Sequence, residues 1–138
     1  MANKTVHETV SRPAPPKTAT LVRLCVAAWL VPGLGHLLLG RKWRALILFA
    51  AIVSTFLLGL GMQGEFFTTG SGAYLQTLGY FGELCVGIAM PAARFFGYGG
   101  GNPLFVSADF GTAFLVSAGM LNMLSILDAY DIANGRKP

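Results

Sequence analysis

The feature that most constrains this chain is one apolar stretch, residues 43–62 (WRALILFAAIVSTFLLGLGM), which carries no charge after Arg44. A helix of about 20 residues covers the hydrocarbon core of a bilayer, which is ~30 Å thick. Trp43 stands beside Arg41, Lys42 and Arg44, and such a mixture of aromatic and basic residues is typical of the membrane–water interface. The stretch therefore predicts a transmembrane helix that these four residues anchor.

Composition extends this prediction to the rest of the chain. Of its 138 residues, 54% are hydrophobic and 12% are charged, and the charged fraction is about half that of a soluble domain. A single water-facing core of this size could not bury so much apolar surface, so lipid must solvate part of it. We therefore predict an all-α, multi-pass protein of the cell inner membrane, with three to four hydrophobic helices.

The first apolar segment, residues 21–39, is interrupted at Pro32-Gly33. Proline removes a helix hydrogen bond and clashes with the preceding turn, so the first helix is predicted to be broken there. A kinked span and a re-entrant helix–turn–helix both satisfy this pattern. A broken helix is tolerated at membrane depth where protein or trapped water satisfies the freed backbone groups.

The third and fourth apolar segments differ in how clearly they predict a span. Residues 74–96 include Glu83 and Pro91 and contain only a short uninterrupted apolar run, so they fit a span, a re-entrant helix or an interfacial helix. On one continuous helix Glu83 and Arg94 would stand ~16 Å apart, too far for a direct pair. Residues 104–127 are long enough to cross the bilayer.

The segments define three parts of the chain. Residues 1–19 are polar and rich in Pro and Thr, which predicts an extended tail. No small-residue cleavage site follows that tail, so it is expected to be retained and not removed as a signal peptide. Residues 20–132 are predicted to form the helical membrane domain, and residues 133–138 a short basic tail.

Orientation depends on which segments cross the membrane. Four spans would divide the ten Lys and Arg residues between both sides. If the first segment is re-entrant and the third interfacial, all of them except Arg94 share the cytoplasmic side, which obeys the positive-inside rule better. Because these residues flank apolar segments and no folded polar domain carries them, nucleic acid is not expected as a partner.

The fourth segment carries a helical face suited to close packing. Residues on this face recur at three- or four-residue spacing: Ser107, Gly111, Phe114, Ala118, Asn122 and Ser125. Small residues let helix backbones approach, and Ser and Asn can hydrogen-bond to a neighbouring helix. The face is predicted to pack within the chain or against another subunit.

His36 is the candidate cofactor ligand, since neutral imidazole binds metals and the central metal of tetrapyrroles. The aromatic residues Trp29, Phe81, Phe95 and Phe96 are the candidate contacts of a chlorophyll-type pigment or haem, and bound lipid is the other candidate. If His36 lies at the membrane interface, it needs no special role.

Motifs of catalytic and metal chemistry are absent from the sequence. GYGGGNP, residues 97–103, lacks the lysine and hydroxyl of a P-loop, and no HExxH or Ser/His/Asp arrangement occurs. Cys25 and Cys85 have no CxxC spacing, so neither a metal site nor a disulfide framework is expected. We therefore expect no catalytic residues and no enzymatic activity.

The stretch WLVPGLGHLLLGRKWRALIL, residues 29–48, resembles the two-transmembrane-helix domain family. Gly33, Gly35, His36 and Gly40 stand at positions of that family's glycine and histidine skeleton. The closing LSILDAYDIANGRKP is similar to the ends of small bacterial membrane proteins that share this hairpin. The resemblance implies a helical hairpin with a tight basic turn, and it implies no common reaction.

These observations favour a non-enzymatic accessory or structural subunit of a larger membrane complex, such as a photosynthetic or respiratory assembly. Its expected partners are other membrane subunits and lipids. A small homo-oligomeric transporter or channel, with Glu83, Asp109 and Asn122 along its path, is one alternative. A membrane assembly or stress factor is the other.

Overall fold

A computed structural model describes residues 18–68, 74–102 and 104–136, and within these ranges it contains six helices and no strand. The helices are α1 (Thr18–Leu30), α2 (Leu34–Leu38), α3 (Lys42–Gly61), α4 (Tyr74–Leu84), α5 (Ala89–Phe95) and α6 (Ala108–Ala133). Most of the predicted tail, residues 1–17, lies outside the described residues. Residues 18 and 19, the last two of the predicted tail, belong to α1.

Two helices, α3 and α6, are long and apolar enough to cross a membrane. They have 20 and 26 residues, which corresponds to about 30 and 39 Å. The all-helical prediction is confirmed for the described residues, and α3 and α6 correspond to the second and fourth apolar segments.

The helices α3 and α6 pack antiparallel. Just after α3 ends, the carbonyl of Met62 accepts a hydrogen bond from Ser107, the residue before α6 (3.3 Å). Nearby, the amide of Glu65 donates to the hydroxyl of Thr112 (2.9 Å). The start of α6 therefore lies at the end of α3, and the two helices run back along each other.

The first apolar segment forms two short helices. The helix α1 ends at Leu30 and α2 begins at Leu34, after Pro32 and a left-handed Gly33 (φ 79°). The turn lies against the early part of α3, since a Cβ on Gly33 would stand 2.6 Å from the carbonyl oxygen of Ala45. With 13 residues, α1 is about 20 Å long.

The third apolar segment also forms two short helices, α4 and α5, joined by a turn at residues 85–88. They have 11 and 7 residues, so they are about 16 and 10 Å long, and neither reaches across a ~30 Å hydrocarbon core. The residues before and after this pair meet, because the amide of Phe66 donates to the carbonyl of Gly99 (2.9 Å). The α4–α5 unit is therefore a hairpin that begins and ends beside the start of α6.

The apolar core lies between α3, the α4–α5 hairpin and α6. Its buried members come from all three and from the loop after α3: Ile52, Phe56, Phe66, Val86, Met90, Ala93, Leu115 and Ala118. This cluster fixes the α4–α5 hairpin against the two long helices.

Candidate functional site

The helices α1 and α2 form a second hairpin, since α2 folds back on α1 and a Cβ on Gly35 would stand 2.8 Å from Cβ of Ala28. The α1–α2 and α4–α5 hairpins meet near the middle of α6, at a contact that we call the hairpin junction (Trp29, Leu30, residues 84–88 and Asn122). The indole N–H of Trp29 donates to the carbonyl of Leu84 (3.0 Å). The amide of Ile88 donates to the carbonyl of Leu30 (3.3 Å). Helix ends leave backbone groups without partners inside the helix, and here the end of each hairpin's first helix bonds to the other hairpin.

Asn122 completes the junction from α6. Its Nδ2 donates to the carbonyl of Cys85 (2.8 Å) and, less closely, to that of Trp29 (3.4 Å). The side chain is fully buried (0% exposed), and its Oδ1 has no hydrogen-bond partner among the described residues. One amide group therefore bonds to both hairpins, which gives Asn122 a role that its place on a packing face did not reveal.

The backbones of α4 and α6 lie in close contact. A Cβ on Gly119 would overlap the carbonyl oxygen of Gly82, and a Cβ on Gly87 would overlap the carbonyl oxygen of Trp29. Glycine has no Cβ, so the backbones approach without steric conflict. Gly87 also adopts a left-handed conformation (φ 76°), which glycine supplies at little cost in the turn between α4 and α5.

His36 lies on α2 and pairs with the last turns of α6. Its Nε2 lies 3.0 Å from Oδ2 of Asp128, and the ring is fully buried (0% exposed). The other ring nitrogen, Nδ1, has no hydrogen-bond partner in the described part of the chain. A carboxylate at one imidazole nitrogen also orients metal-bound histidines, but no group of three potential metal ligands occurs among the described residues.

The candidate aromatic contacts do not gather around His36. Phe95 and Phe96 pack edge to face (ring centroids 5.6 Å apart) at the end of α5, beside the start of α6, whereas His36 lies near the end of α6. Phe81 is exposed on α4, and the Trp29 indole bonds to Leu84.

Glu83 and Arg94 bond to the backbone of one residue in the loop after α3, Phe67, at its amide and at its carbonyl. The carboxylate of Glu83 accepts a hydrogen bond from the amide of Phe67 (2.9 Å), and the guanidinium of Arg94 donates to the Phe67 carbonyl (3.0 Å). Arg94 also lies over the ring of Phe66, 5.4 Å from its centroid. A continuous helix would separate Glu83 and Arg94, and the turn at 85–88 brings both to the same loop.

The predicted packing face of α6 is largely buried within the chain. Gly111, Ala118, Asn122 and Ser125 are buried, Ser107 is partly buried, and Phe114 is more exposed. The predicted anchors lie at the start of α3, where Lys42, Trp43 and Arg44 are exposed and Arg41 is partly buried.

The sequence interpretation missed Phe67 and the junction role of Trp29. Phe67 forms its hydrogen bonds through backbone atoms, so no side-chain motif indicates them. The Trp29 and Asn122 contacts join residues between 37 and 93 positions apart. Only the glycines opposite one another, such as Gly82 and Gly119, could have indicated where the backbones approach.

Comparison with known proteins identifies a family. No curated protein and no solved structure matches the chain. Residues 23–138, which include all of α2 to α6, match the model of a family of unknown function (DUF6677). The chain therefore belongs to the family of unknown function DUF6677.

Proposed function

We propose that this protein is a non-enzymatic structural subunit of a larger complex in the cell inner membrane. In this proposal α3 and α6 cross the bilayer, and the α1–α2 and α4–α5 hairpins enter it from opposite sides. The hairpin junction then lies near the bilayer midplane, because Asn122 lies near the middle of α6.

The backbone contacts of α4–α5 support a re-entrant hairpin. If this unit crossed the membrane, the loop after α3 and the loop after α5 would lie on opposite sides. Instead Phe66 and Gly99 share a hydrogen bond, and Glu65 and Gly100 form an antiparallel bridge. Irregular backbone inside a bilayer must be covered by protein, and the bonds of Asn122 and Trp29 cover this turn.

The basic residues support an orientation. The exposed cations Lys42, Arg44 and Arg136 flank the start of α3 and the end of α6, whereas Arg94 lies at the other end of the bundle. The positive-inside rule places the start of α3 and the end of α6 in the cytoplasm.

Cysteine labelling tests this arrangement. In a variant whose two native cysteines are replaced by serine, single cysteines are introduced at Thr18, Thr68, Tyr98 and Arg136. Thr68→Cys and Tyr98→Cys are expected to react with a membrane-impermeant maleimide from the periplasmic side. Thr18→Cys and Arg136→Cys should react only after the cells are opened.

Labelling of every variant in detergent is the control for intrinsic reactivity. Reaction of Thr68→Cys and Tyr98→Cys from opposite sides would show that residues 74–96 span the membrane. Reaction of Thr18→Cys and Arg136→Cys from opposite sides would show that the first apolar segment spans the membrane.

The observation that carries the subunit proposal is an apolar shelf beside the loop between α5 and α6. Its four large side chains are between 73% and 92% exposed: Phe95, Phe96, Leu104 and Val106. They belong to the end of α5 and to the loop before α6 and therefore lie outside the two helices that are proposed to cross the bilayer. Aromatic and large apolar residues are characteristic of the buried centres of protein interfaces, and we assign the shelf to a partner subunit.

Purification in mild detergent through a C-terminal tag tests this assignment. Stoichiometric partner subunits should appear by mass spectrometry, and a Phe95→Ser/Leu104→Ser variant should lose them. Leu46→Ser/Leu57→Ser, which changes two exposed residues on the side of α3, is the matched control and should keep them. The absorption spectrum of the same eluate tests whether the complex is a photosynthetic or respiratory assembly. A His36→Leu variant with unchanged pigment content would exclude His36 as a ligand.

A second candidate, a small homo-oligomeric transporter, is favoured by three buried polar residues. His36, Asn122 and Glu83 each carry a polar atom without a hydrogen-bond partner in the described ranges, and polar groups inside membranes often mark ion pathways. The apolar cluster between α3, α5 and α6 disfavours a path through one copy. A colourless self-oligomer that conducts ions in liposomes would support this candidate, whereas partners that bind only transiently would indicate an assembly or stress factor.

A further inference from the structure

A groove of about 880 Å³ opens between α4 and the first half of α6. This volume lies within the range of small-molecule sites, about 300–1,000 Å³. The groove belongs to neither the hairpin junction nor the apolar shelf. One of its walls is Phe67, the residue whose backbone Glu83 and Arg94 hold on both sides.

The groove lining changes from acidic to apolar along α6. Glu65 and Asp109 line it near the start of that helix, together with Thr112, whose hydroxyl accepts a hydrogen bond from the Glu65 amide (2.9 Å). About two to three turns further along α6, Val116 and Met120 line it. The described lining includes both carboxylates and no Lys, Arg or His side chain.

We propose that this groove binds an amphiphilic cation, with its positive group at Glu65 and Asp109 and its apolar part against Val116 and Met120. Two carboxylates without a lining cation attract positive charge and repel anions. The apolar end accepts a hydrophobic group, which water would otherwise have to solvate. Arg94 donates to the carbonyl of Phe67 and does not line the groove.

Two ions of nearly the same size and shape but opposite charge test the proposal on the full-length protein in detergent. Tetraphenylphosphonium is expected to bind saturably, at one ion per chain, in equilibrium dialysis. Tetraphenylborate should show only unsaturable partition into the micelle. The Glu65→Gln/Asp109→Asn variant should bind the cation at least about tenfold more weakly.

Two further variants separate the groove from general effects of charge and folding. Asp131→Asn removes a carboxylate at the opposite end of α6, where Asp131 lies 3.5 Å from Arg136, and should bind as the natural sequence does. Ala113→Phe places a large side chain at the exposed groove wall and should abolish saturable binding with both carboxylates intact. Unfolding temperatures confirm that each variant is folded.

Three results would overturn the proposal. They are equal binding of the two ions, no saturable cation binding at all, and a loss in Asp131→Asn as large as in the groove variant. None of them bears on the partner subunits, because the apolar shelf and the groove share no residue.

Discussion

Replacing Gly119 by alanine is expected to destabilise the packing of α4 against α6 strongly. A Cβ at this position would overlap the carbonyl oxygen of Gly82, and backbone cannot move aside as a flexible side chain can. Overpacking a core costs about 1–3 kcal/mol, and we expect a loss at the upper end of that range. The measurement is the free energy of unfolding in mixed micelles as SDS is increased.

Gly61→Ala is the matched control for Gly119→Ala. Gly61 is also helical, at the end of α3, and a Cβ there would meet no atom within 4 Å. Alanine favours a helix over glycine by up to ~1 kcal/mol, so this variant should be as stable as the natural chain or slightly more so. Equal destabilisation of both variants would show that α4 does not approach α6 as described.

Replacing Asn122 by leucine is expected to open the hairpin junction. Leucine has the same side-chain branching as asparagine but bulkier methyl groups, so the change removes the hydrogen bonds to Cys85 and Trp29 and also crowds a fully buried site. Leaving buried polar groups without a partner costs about 1–3 kcal/mol each, and we expect a loss of about 2 kcal/mol or more in unfolding free energy.

Tryptophan fluorescence provides a readout specific to the junction. The chain has two tryptophans, so a Trp43→Phe background leaves Trp29 as the only emitter. Loss of its bond to Leu84 should shift the emission of Asn122→Leu to longer wavelength. Asn134→Leu, which loses a bond to Tyr130 within its own turn, is the control and should leave the emission unchanged. An unshifted spectrum in Asn122→Leu would show that Asn122 does not hold the hairpins together.

Contacts between residues far apart in sequence determine the structure of residues 74–96. Residues 74–96 contain enough apolar residues to span a membrane, but Glu83 and Pro91 interrupt the apolar run. Asn122 bonds to the carbonyl of Cys85 in the turn at 85–88, and Trp29 bonds to the carbonyl of Leu84 just before that turn. Both partners lie far away in sequence. Glu83 and Arg94 consequently bond to the backbone of the same residue, Phe67, which no helical spacing predicts.

The resemblance of residues 29–48 to the two-transmembrane-helix domain family stays a prediction. It implies a hairpin with a tight basic turn, and in this chain residues 39–41 join α2 to α3. Gly33 and its contact Ala45 both lie within residues 29–48. His36 pairs with Asp128 on α6, so the local motif does not contain the partner of its histidine.

By itself, the sequence determined that the described chain is helical and that two of its helices can cross a membrane. Those properties follow from uninterrupted apolar composition, which acts locally and needs no partner. The tertiary structure decided where the short helices turn, which polar groups pair, and which glycines must remain glycine. These depend on backbone groups of one hairpin meeting those of another, and hydrogen bonds between residues so far apart have no signature in local sequence.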